Sequence, residues 1–509
     1  AYSIKDDKIF IDENKNISLF NLTNVNLNIN AIVGKNGTGK STIVELIFAL
    51  IHDMSHLQNL NPNLNPIKNL NIELIYRSQY IYKIHLNNQL LEVFKYDEKN
   101  NQYIDCTSSY DIREFCYTIA VNYSQHSFNK LTLGDWIHSL FHKNDSYKTP
   151  IVIEPYRKDG NIDVNRQEEL IKRRLLSNLL LKEDLDDIKN SPRQLTEFYR
   201  AEALKFTFNL NKIFYKTDEI KQILLKHIYR DEENKIMITF GAFEHSYIDT
   251  LRLLYEKFGV RVLPTKHFRN DNFSSYTFED KVHLYVLKKL VSIVIRYEKY
   301  QDYFNTQTST FQNLQACVNE IYEDKSHICY KLKQALYFLR FDTLIQKVET
   351  EQQFNIEELS KRIEEFKEKH TAEELTTNEL IAPAFFDVEI ILENNINFNT
   401  LSSGEKQKIY SVNSILYHLN NINSVDEKST KYGYVNIILD EIELYFHPEL
   451  QRQYLKHLRH AISKADTNKI LAINILFVTH SPFILSDIPD TKILFLDKKM
   501  IALMQKVFP

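Results

Sequence analysis

"GKNGTGKST", residues 34–42, holds three of the nine glycines in a chain of 509 residues. It fits G-x-x-x-x-G-K-[ST] from Gly34 to Ser41. Before it, "INAIVG" reads as a short buried strand; after it, "STIVELIFALIH" reads as a helix apolar on nearly every face. Strand, glycine loop, helix is the arrangement a phosphate-binding loop requires. The glycines let consecutive backbone N–H groups turn inward around phosphate oxygens, and the helix N-terminus adds partial positive charge. In that setting Lys40 reaches the β- and γ-phosphates of a nucleotide and Ser41 ligates Mg²⁺. The loop alone does not separate kinases, GTPases, motors and transporter-type ATPases.

Near the other end, "YVNIILDEIELYFHPEL" (434–450) begins as a continuous apolar run and ends in adjacent carboxylates, Asp440 and Glu441. Such a run suits a strand covered on both faces, and ligands bind at the C-terminal ends of strands in an open α/β sheet. Asp440 can hold the Mg²⁺ shell, and Glu441 can orient and polarise an attacking water. The following helix starts at Pro448 and carries Leu450, Tyr454, Leu458 and Ile462 at helical spacing. It leads to "INILFVTHSPFIL", a second buried run ending in Thr479 and His480; a histidine there can donate to the γ-phosphate. In "CYTIAVNYSQHSF" a strand ends near Gln125, a neutral amide suited to Mg²⁺ or to the water.

"LSSGEKQKIYSVNSILYHL" (401–419) opens with the S-x-x-E capping box of Ser402 and Glu405, and Ile409, Val412, Leu416 and Leu419 give the helix behind it one buried face. A capped N-terminus with Gly404 allowing close approach is also suited to an anion.

Taken together, the order of these segments resembles that of ABC-type ATPases: P-loop, Q-loop, signature, Walker B acid, switch histidine. Within them it is similar to the soluble group that includes the SMC, RecF and OLD proteins. The pattern Asp440, Glu441, Glu443, Leu444, His447, Pro448, Gln451 resembles the prokaryotic OLD-like branch, many of whose members serve in anti-phage defence. The segment from Phe141 to Leu176 resembles ATPase subunits of Septu-type and retron-linked defence systems. The resemblance spans about residues 17–150 and 385–505. It implies an ABC-type α/β head with a mixed sheet and flanking helices, and ATP and Mg²⁺ as cofactors. Residue by residue it implies that Gly34, Lys35, Asn36, Gly37, Thr38, Gly39, Lys40, Ser41 and Thr42 cradle the phosphates. Ser41, Gln125 and Asp440 would hold the metal, and Glu441, His480 and Lys40 would act in hydrolysis. Ser402, Ser403 and Gly404 would close on the γ-phosphate held by a second subunit, so Gly404→Arg is expected to abolish ATP-dependent pairing and spare ATP binding by the monomer. The signature departs from L-S-G-G-Q, with Ser403 and Glu405 in place of glycine and glutamine.

The expected organisation is an N-terminal part of the head over 1–153, a mainly helical insertion over 154–384 and a C-terminal part of the head over 385–509. In the insertion, Ile356, Leu359, Ile363 and Phe366 form a seam barely two heptads long, either a short helical arm or a helix packed on its own domain. Basic residues gather at Arg157, Lys158, Arg166, Lys172, Arg173 and Arg174, and again at Arg252, Lys257, Arg261, Lys266 and Arg269, as phosphate-backbone contacts or as solvated helix faces.

A net charge of −4 supplies no global basic field, and no window approaches the roughly 18 apolar residues of a membrane span. Cys106, Cys116, Cys317 and Cys329 lack zinc or disulfide spacing, and the N-terminus lacks a signal-peptide pattern, so a reducing cytoplasm is expected. The leading functional expectation is an ATP-hydrolysing regulator. Its heads would form a homodimer or higher oligomer around ATP and control a separate effector, a nuclease, in prokaryotic defence. The alternatives are a RecF-like repair ATPase acting directly on nucleic acid and a non-hydrolysing scaffold that uses ATP as glue.

Overall fold

A computed structural model describes residues 2–5, 8–11, 20, 22, 25–61, 64–125, 127–141, 147–158, 160–183, 191–213, 225–230, 236–240, 247–261, 271–272, 276–341, 344–424 and 432–497. The chain divides into two compact units, residues 1–168 with 402–509, and residues 169–401.

The first unit is built on six strands: β1 (Asn26–Gly34), β2 (Tyr117–Val121), β3 (Ile151–Glu154), β4 (Tyr434–Asp440), β5 (Ala472–Thr479) and β6 (Ile493–Leu496). They lie in the order β6-β1-β5-β4-β2-β3, and every neighbouring pair is parallel. A parallel sheet is covered on both faces, which is why its central strands read as unbroken apolar runs. Val435, Ile437, Ile438 and Leu439 of β4 and Ile473, Ile475, Phe477 and Val478 of β5 are all buried. The sequence anticipates a mixed sheet. Instead, antiparallel strands form a separate four-stranded sheet from Asn71–Arg77, Ile81–Asn87, Leu90–Asp97 and Gln102–Asp105.

Asparagines pin the register of the parallel sheet. Asn28, Asn474 and Asn436 are cross-strand partners on β1, β5 and β4. Asn474 Nδ2 donates to Asn436 Oδ1 at 2.7 Å, and Asn474 Oδ1 accepts from Asn30 and Asn28 at 2.7 and 2.9 Å. A slip of one residue would break this ladder and turn every apolar side chain to the other face.

The helices of this unit are α1 (Lys40–Leu57), α2 (Ser403–Ser424) and α3 (Pro448–Lys464), besides shorter turns. Along α1, Val44, Phe48, Ile51 and Met54 recur at helical spacing and are buried. In α3, Tyr454, Leu458 and Ile462 are buried and Leu450 is half-buried. The buried face of α2 is more polar than its sequence pattern suggests. Ile409 and Leu419 are buried, yet Val412 and Leu416 are only half-buried, while Ser411, Ser414 and His418 are buried. His418 fits inside because Nδ1 meets Tyr147 Oη at 2.8 Å and Nε2 meets Glu154 Oε1 at 2.9 Å, satisfying both ring nitrogens.

The second unit combines helices with an antiparallel sheet of Gln352–Asn355, Ala201–Phe208, Phe386–Leu392 and Ile396–Asn397. Its core is aromatic: the Phe208, Phe278, Phe338, Phe385 and Phe386 rings lie 4.9 to 6.3 Å apart, mostly edge to face. The helix Ile356–Lys369 buries Ile356, Leu359 and Ile363 in this unit. Its Ser360 hydroxyl donates to the Leu180 carbonyl at 3.0 Å, and Phe366 lies 4.4 Å from the Phe341 ring.

Candidate nucleotide-binding site

Parallel pairing sets the functional segments side by side. Thr479, the last residue of β5, pairs with Val33 of β1; Asp440 of β4 pairs with Val478 of β5; Leu439 pairs with Val121 of β2. The glycine loop, the acidic pair, His480 and the segment holding Gln125 therefore all leave the sheet at the C-terminal ends of adjacent strands. At the usual strand spacing, the ends of β1 and β4, with β5 between them, are about 10 Å apart.

The loop from Gly34 to Lys40 holds itself by hydrogen bonds. Thr38 N–H donates to the Lys35 carbonyl at 3.2 Å and its hydroxyl donates to the same oxygen at 2.8 Å, which buries Thr38. A Cβ on Gly34 would lie 2.4 Å from that hydroxyl and 2.8 Å from the Leu496 carbonyl, so no other residue fits. Gly37 and Gly39 adopt φ of 77° and 81°, left-handed values suited to glycine. A Cβ on Gly37 would meet nothing within 4 Å, so its positive φ, and not crowding, is what calls for glycine there. Lys35 and Asn36 are exposed, Ser41 is half-buried and Thr42 exposed. Lys40 is 5% exposed, with Nζ donating to the carbonyls of Gly34 at 2.8 Å and Lys35 at 3.4 Å.

Asp440 is buried. Its Oδ2 accepts from Asn122 Nδ2 at 2.7 Å, and its Oδ1 has no hydrogen-bond partner among the described residues. Burial, with Glu441 and Glu443 nearby, pushes its carboxyl up to about 7, and the Asn122 amide opposes this. Glu441 follows with φ of 49°, a left-handed conformation that costs a non-glycine residue about 1–3 kcal/mol. Its N–H is held by the Val478 carbonyl at 2.9 Å, which ties the turn to β5. His480, next to the buried Thr479, is exposed.

The residues after the acidic pair brace the loop. Glu443 is buried and accepts from the Thr479 hydroxyl; Thr479 Oγ1 in turn accepts from Ser481 N–H at 2.9 Å. Gln451 Nε2 donates to the Phe446 carbonyl at 2.9 Å, and its Oε1 accepts from the Ser481 hydroxyl. The spacing of Glu443 and Gln451 thus has a physical cause: both join the 441–447 loop to the segment carrying His480.

Gln125 is exposed, and the amide that reaches Asp440 is Asn122, three residues earlier. Asn122 is itself fixed by Arg157, 1% exposed, whose Nη2 donates to the Asn122 carbonyl at 2.8 Å and Oδ1 at 3.1 Å. Arg157 Nη1 donates to the carbonyls of Ser124 at 2.7 Å and Ser127 at 2.8 Å, on either side of Gln125. Burial pushes its guanidinium down to about 10. By sequence Arg157 belongs to a run of cations suited to a phosphate backbone; it is inside the protein, and both of its Nη groups donate to this turn. In the sequence Asn122 ends an apolar run as Asp440 does; the pairing of Val121 with Leu439 that sets it beside Asp440 comes only with the fold.

Ser402 and Glu405 form the expected capping box, with Ser402 N–H donating to Glu405 Oε2 at 3.0 Å and Glu405 N–H donating to Ser402 Oγ at 3.3 Å. Ser402 and Ser403 are exposed. Gly404 is buried, and a Cβ there would lie 2.6 Å from the Tyr445 carbonyl of the same chain. Gln407 Nε2 donates to the Ile442 carbonyl at 2.8 Å. Gly404 therefore has a local task, close packing of α2 on the acidic loop, and Gly404→Arg would displace that loop as well as any partner.

The residues fit a Mg–nucleotide: a glycine loop at a helix N-terminus for phosphate, and a buried carboxylate oxygen without a hydrogen-bond partner among the described residues for a hard divalent cation. Compared with models of protein families and with curated proteins, the chain matches none. No helix among the described residues is long and apolar enough to cross a membrane.

Proposed function

We propose that the chain is an ABC-type P-loop ATPase head that binds Mg–ATP, hydrolyses it, and pairs with a second copy around the nucleotide. The observation that supports this best is the convergence of the Lys40 loop, Asp440, Glu441 and His480 on the ends of three adjacent parallel strands, with Asp440 Oδ1 unpartnered.

In this reading the N–H groups from Gly37 to Ser41 bind phosphate oxygens and Lys40 Nζ exchanges loop carbonyls for the β- and γ-phosphates. Ser41 and Asp440 hold the cation, while Asn122 keeps the Asp440 carboxylate turned toward it. Glu441 accepts the proton of the attacking water, and His480 donates to the γ-phosphate. Bound Mg–ATP supplies the transferable phosphoryl group and the charge that screens it. Ser402 and Ser403 cap the nucleotide of the second copy, and the cycle regulates a separate effector, a nuclease of prokaryotic anti-phage defence. That last part rests on the resemblance of the sequence motifs.

The test is nucleotide binding and phosphate release by the purified full chain with Mg²⁺, with GTP as a comparison. Specific ATP binding and Mg²⁺-dependent phosphate release are expected; a chain that neither binds nor hydrolyses ATP would sink the reading.

A further inference from the structure

We propose that the second unit carries an anion site, formed by Arg173, Lys289 and Lys331, for a compact, multiply charged phosphate ligand, the polyphosphate of a nucleotide. These cations come from three helices: Arg173 from Val164–Leu179, Lys289 from Phe278–Arg296 and Lys331 from the first turn of Tyr330–Arg340. Lys289 feels the charge of Arg173 and Lys331, with Lys288 and Arg296 adding theirs, and Lys331 feels that of Arg173 and Arg296. The carboxylates whose charge acts on Arg173, Glu169 and Asp387, are both engaged by Lys212. Among the described residues, neither Arg173, Lys289 nor Lys331 has a carboxylate within ion-pair distance, and Arg173 Nη1 has only the Pro383 carbonyl, at 3.4 Å.

Two donors lie in the same place unused. Tyr285 is one turn before Lys289 on the same helix, with Lys289 Nζ 5.0 Å from its ring centroid. Tyr285 is 1% exposed, and its hydroxyl and Arg173 Nη2 are both buried without a hydrogen-bond partner among the described residues. A buried hydroxyl and guanidinium nitrogen left unpaired are costly unless something accepts from them. Like charges drawn together out of water raise the cost further. The physical sign is that burial and neighbouring cations push Lys289 well below its ordinary range. Lys331 is exposed, so the cluster opens to solvent.

An acceptor with several negative oxygens satisfies both demands at once, and a guanidinium fork matches phosphate geometry. Convergence from three helices suits a compact phosphate chain; an extended nucleic-acid backbone is tracked by a groove of cations and stacking aromatics. The neighbouring cation from the same sequence run, Lys172, is excluded because it is buried and donates to Asn399 Oδ1 at 2.6 Å.

The site is independent of the P-loop, so it is tested in the full chain carrying Lys40→Ala, titrated by calorimetry with inorganic tripolyphosphate in the presence of a chelator. Saturable binding is expected, weakened roughly tenfold or more by Lys289→Glu and by Lys331→Glu, and weakened by added salt. Lys331 is exposed, so its reversal leaves the fold intact, and Lys331→Glu in the chain with Lys40 restored should hydrolyse ATP at the parent rate. Absence of tripolyphosphate binding, or binding indifferent to both reversals, overturns the proposal. So does a single-stranded oligonucleotide that displaces tripolyphosphate with an affinity growing with its length, which would mark a backbone-tracking surface. A failure of Lys40→Ala to impair ATP hydrolysis would instead strike the P-loop reading and leave this one standing.

Discussion

Two charged clusters in this molecule obey opposite rules. At the strand ends of the first unit almost every charge has an appointed neighbour: Lys40 has the Gly34 and Lys35 carbonyls, Arg157 has three backbone carbonyls, and Asp440 has Asn122. Among the described residues, buried atoms left without a hydrogen-bond partner there include Asp440 Oδ1, Glu443 Oε2 and Arg157 Nε. In the cluster of the second unit cations face cations, and Tyr285 Oη and Arg173 Nη2 have no acceptor among the described residues. In the proposed function the first arrangement takes a ligand of both signs, a metal cation with phosphates. The second calls for anions only. That is why a divalent cation belongs to the first reading and is left out of the second.

The largest effects should come from the first cluster. If Lys40 reaches the phosphates as proposed, Lys40→Ala should abolish both ATP binding and turnover, measured by nucleotide retention and phosphate release. Glu441→Gln should lower turnover by about 10²- to 10⁴-fold, the range of a general base, while ATP stays bound. Equal loss of binding in both variants would show that Glu441 shapes the loop through its φ of 49° and takes no proton.

A smaller effect is expected one step further from the chemistry. Asn122→Asp sets a second carboxylate against Asp440 and should raise the Mg²⁺ concentration needed for half-maximal hydrolysis by roughly 10- to 100-fold, the scale of outer-shell changes at metal sites. A lowered maximal rate with unchanged Mg²⁺ dependence would mean that Asn122 only packs the strand end. Gly404→Ala probes α2 in its own chain. With Cβ 2.6 Å from the Tyr445 carbonyl, it should destabilise the first unit by about 1–3 kcal/mol, read as a lowered unfolding midpoint in denaturant. An unchanged midpoint would show that the acidic loop yields to α2 without cost.

The contrast between the clusters also explains what the sequence could reveal. The first is made of contiguous stretches, a loop of nine residues and two strand ends, whose spacing is dictated by turn geometry and parallel pairing. Gly34, Lys40, Asp440 and His480 were therefore visible as patterns. A single sequence shows only that a strand ends near Gln125; the pairing of Val121 with Leu439 decides that the amide meeting the carboxylate is Asn122. Arg157 lay inside a basic run, and nothing in a run shows which cation turns inward. The second cluster draws Arg173, Lys289 and Lys331 from points more than forty residues apart. Only the packing of helices unites them. The polar face of α2 was hidden for a related reason, since the buried His418 needs Tyr147 and Glu154 from distant segments.

The subtlest change to the fold tests the widest claim. Ser403 is exposed at the first turn of α2, one residue past the capping serine. Ser403→Asp puts a negative charge at a helix N-terminus, where it is favourable by about 0.3–1 kcal/mol, so the stability of the single chain should hold or rise slightly. If this turn closes on a phosphate carried by a second copy, the same charge repels that phosphate. ATP-dependent pairing, measured by light scattering of the slowly hydrolysing Glu441→Gln chain, should then disappear while ATP binding by the single chain persists. Pairing that survives Ser403→Asp would reduce the serine–glycine stretch to what is already visible within one chain, a capping box and a close contact with Tyr445.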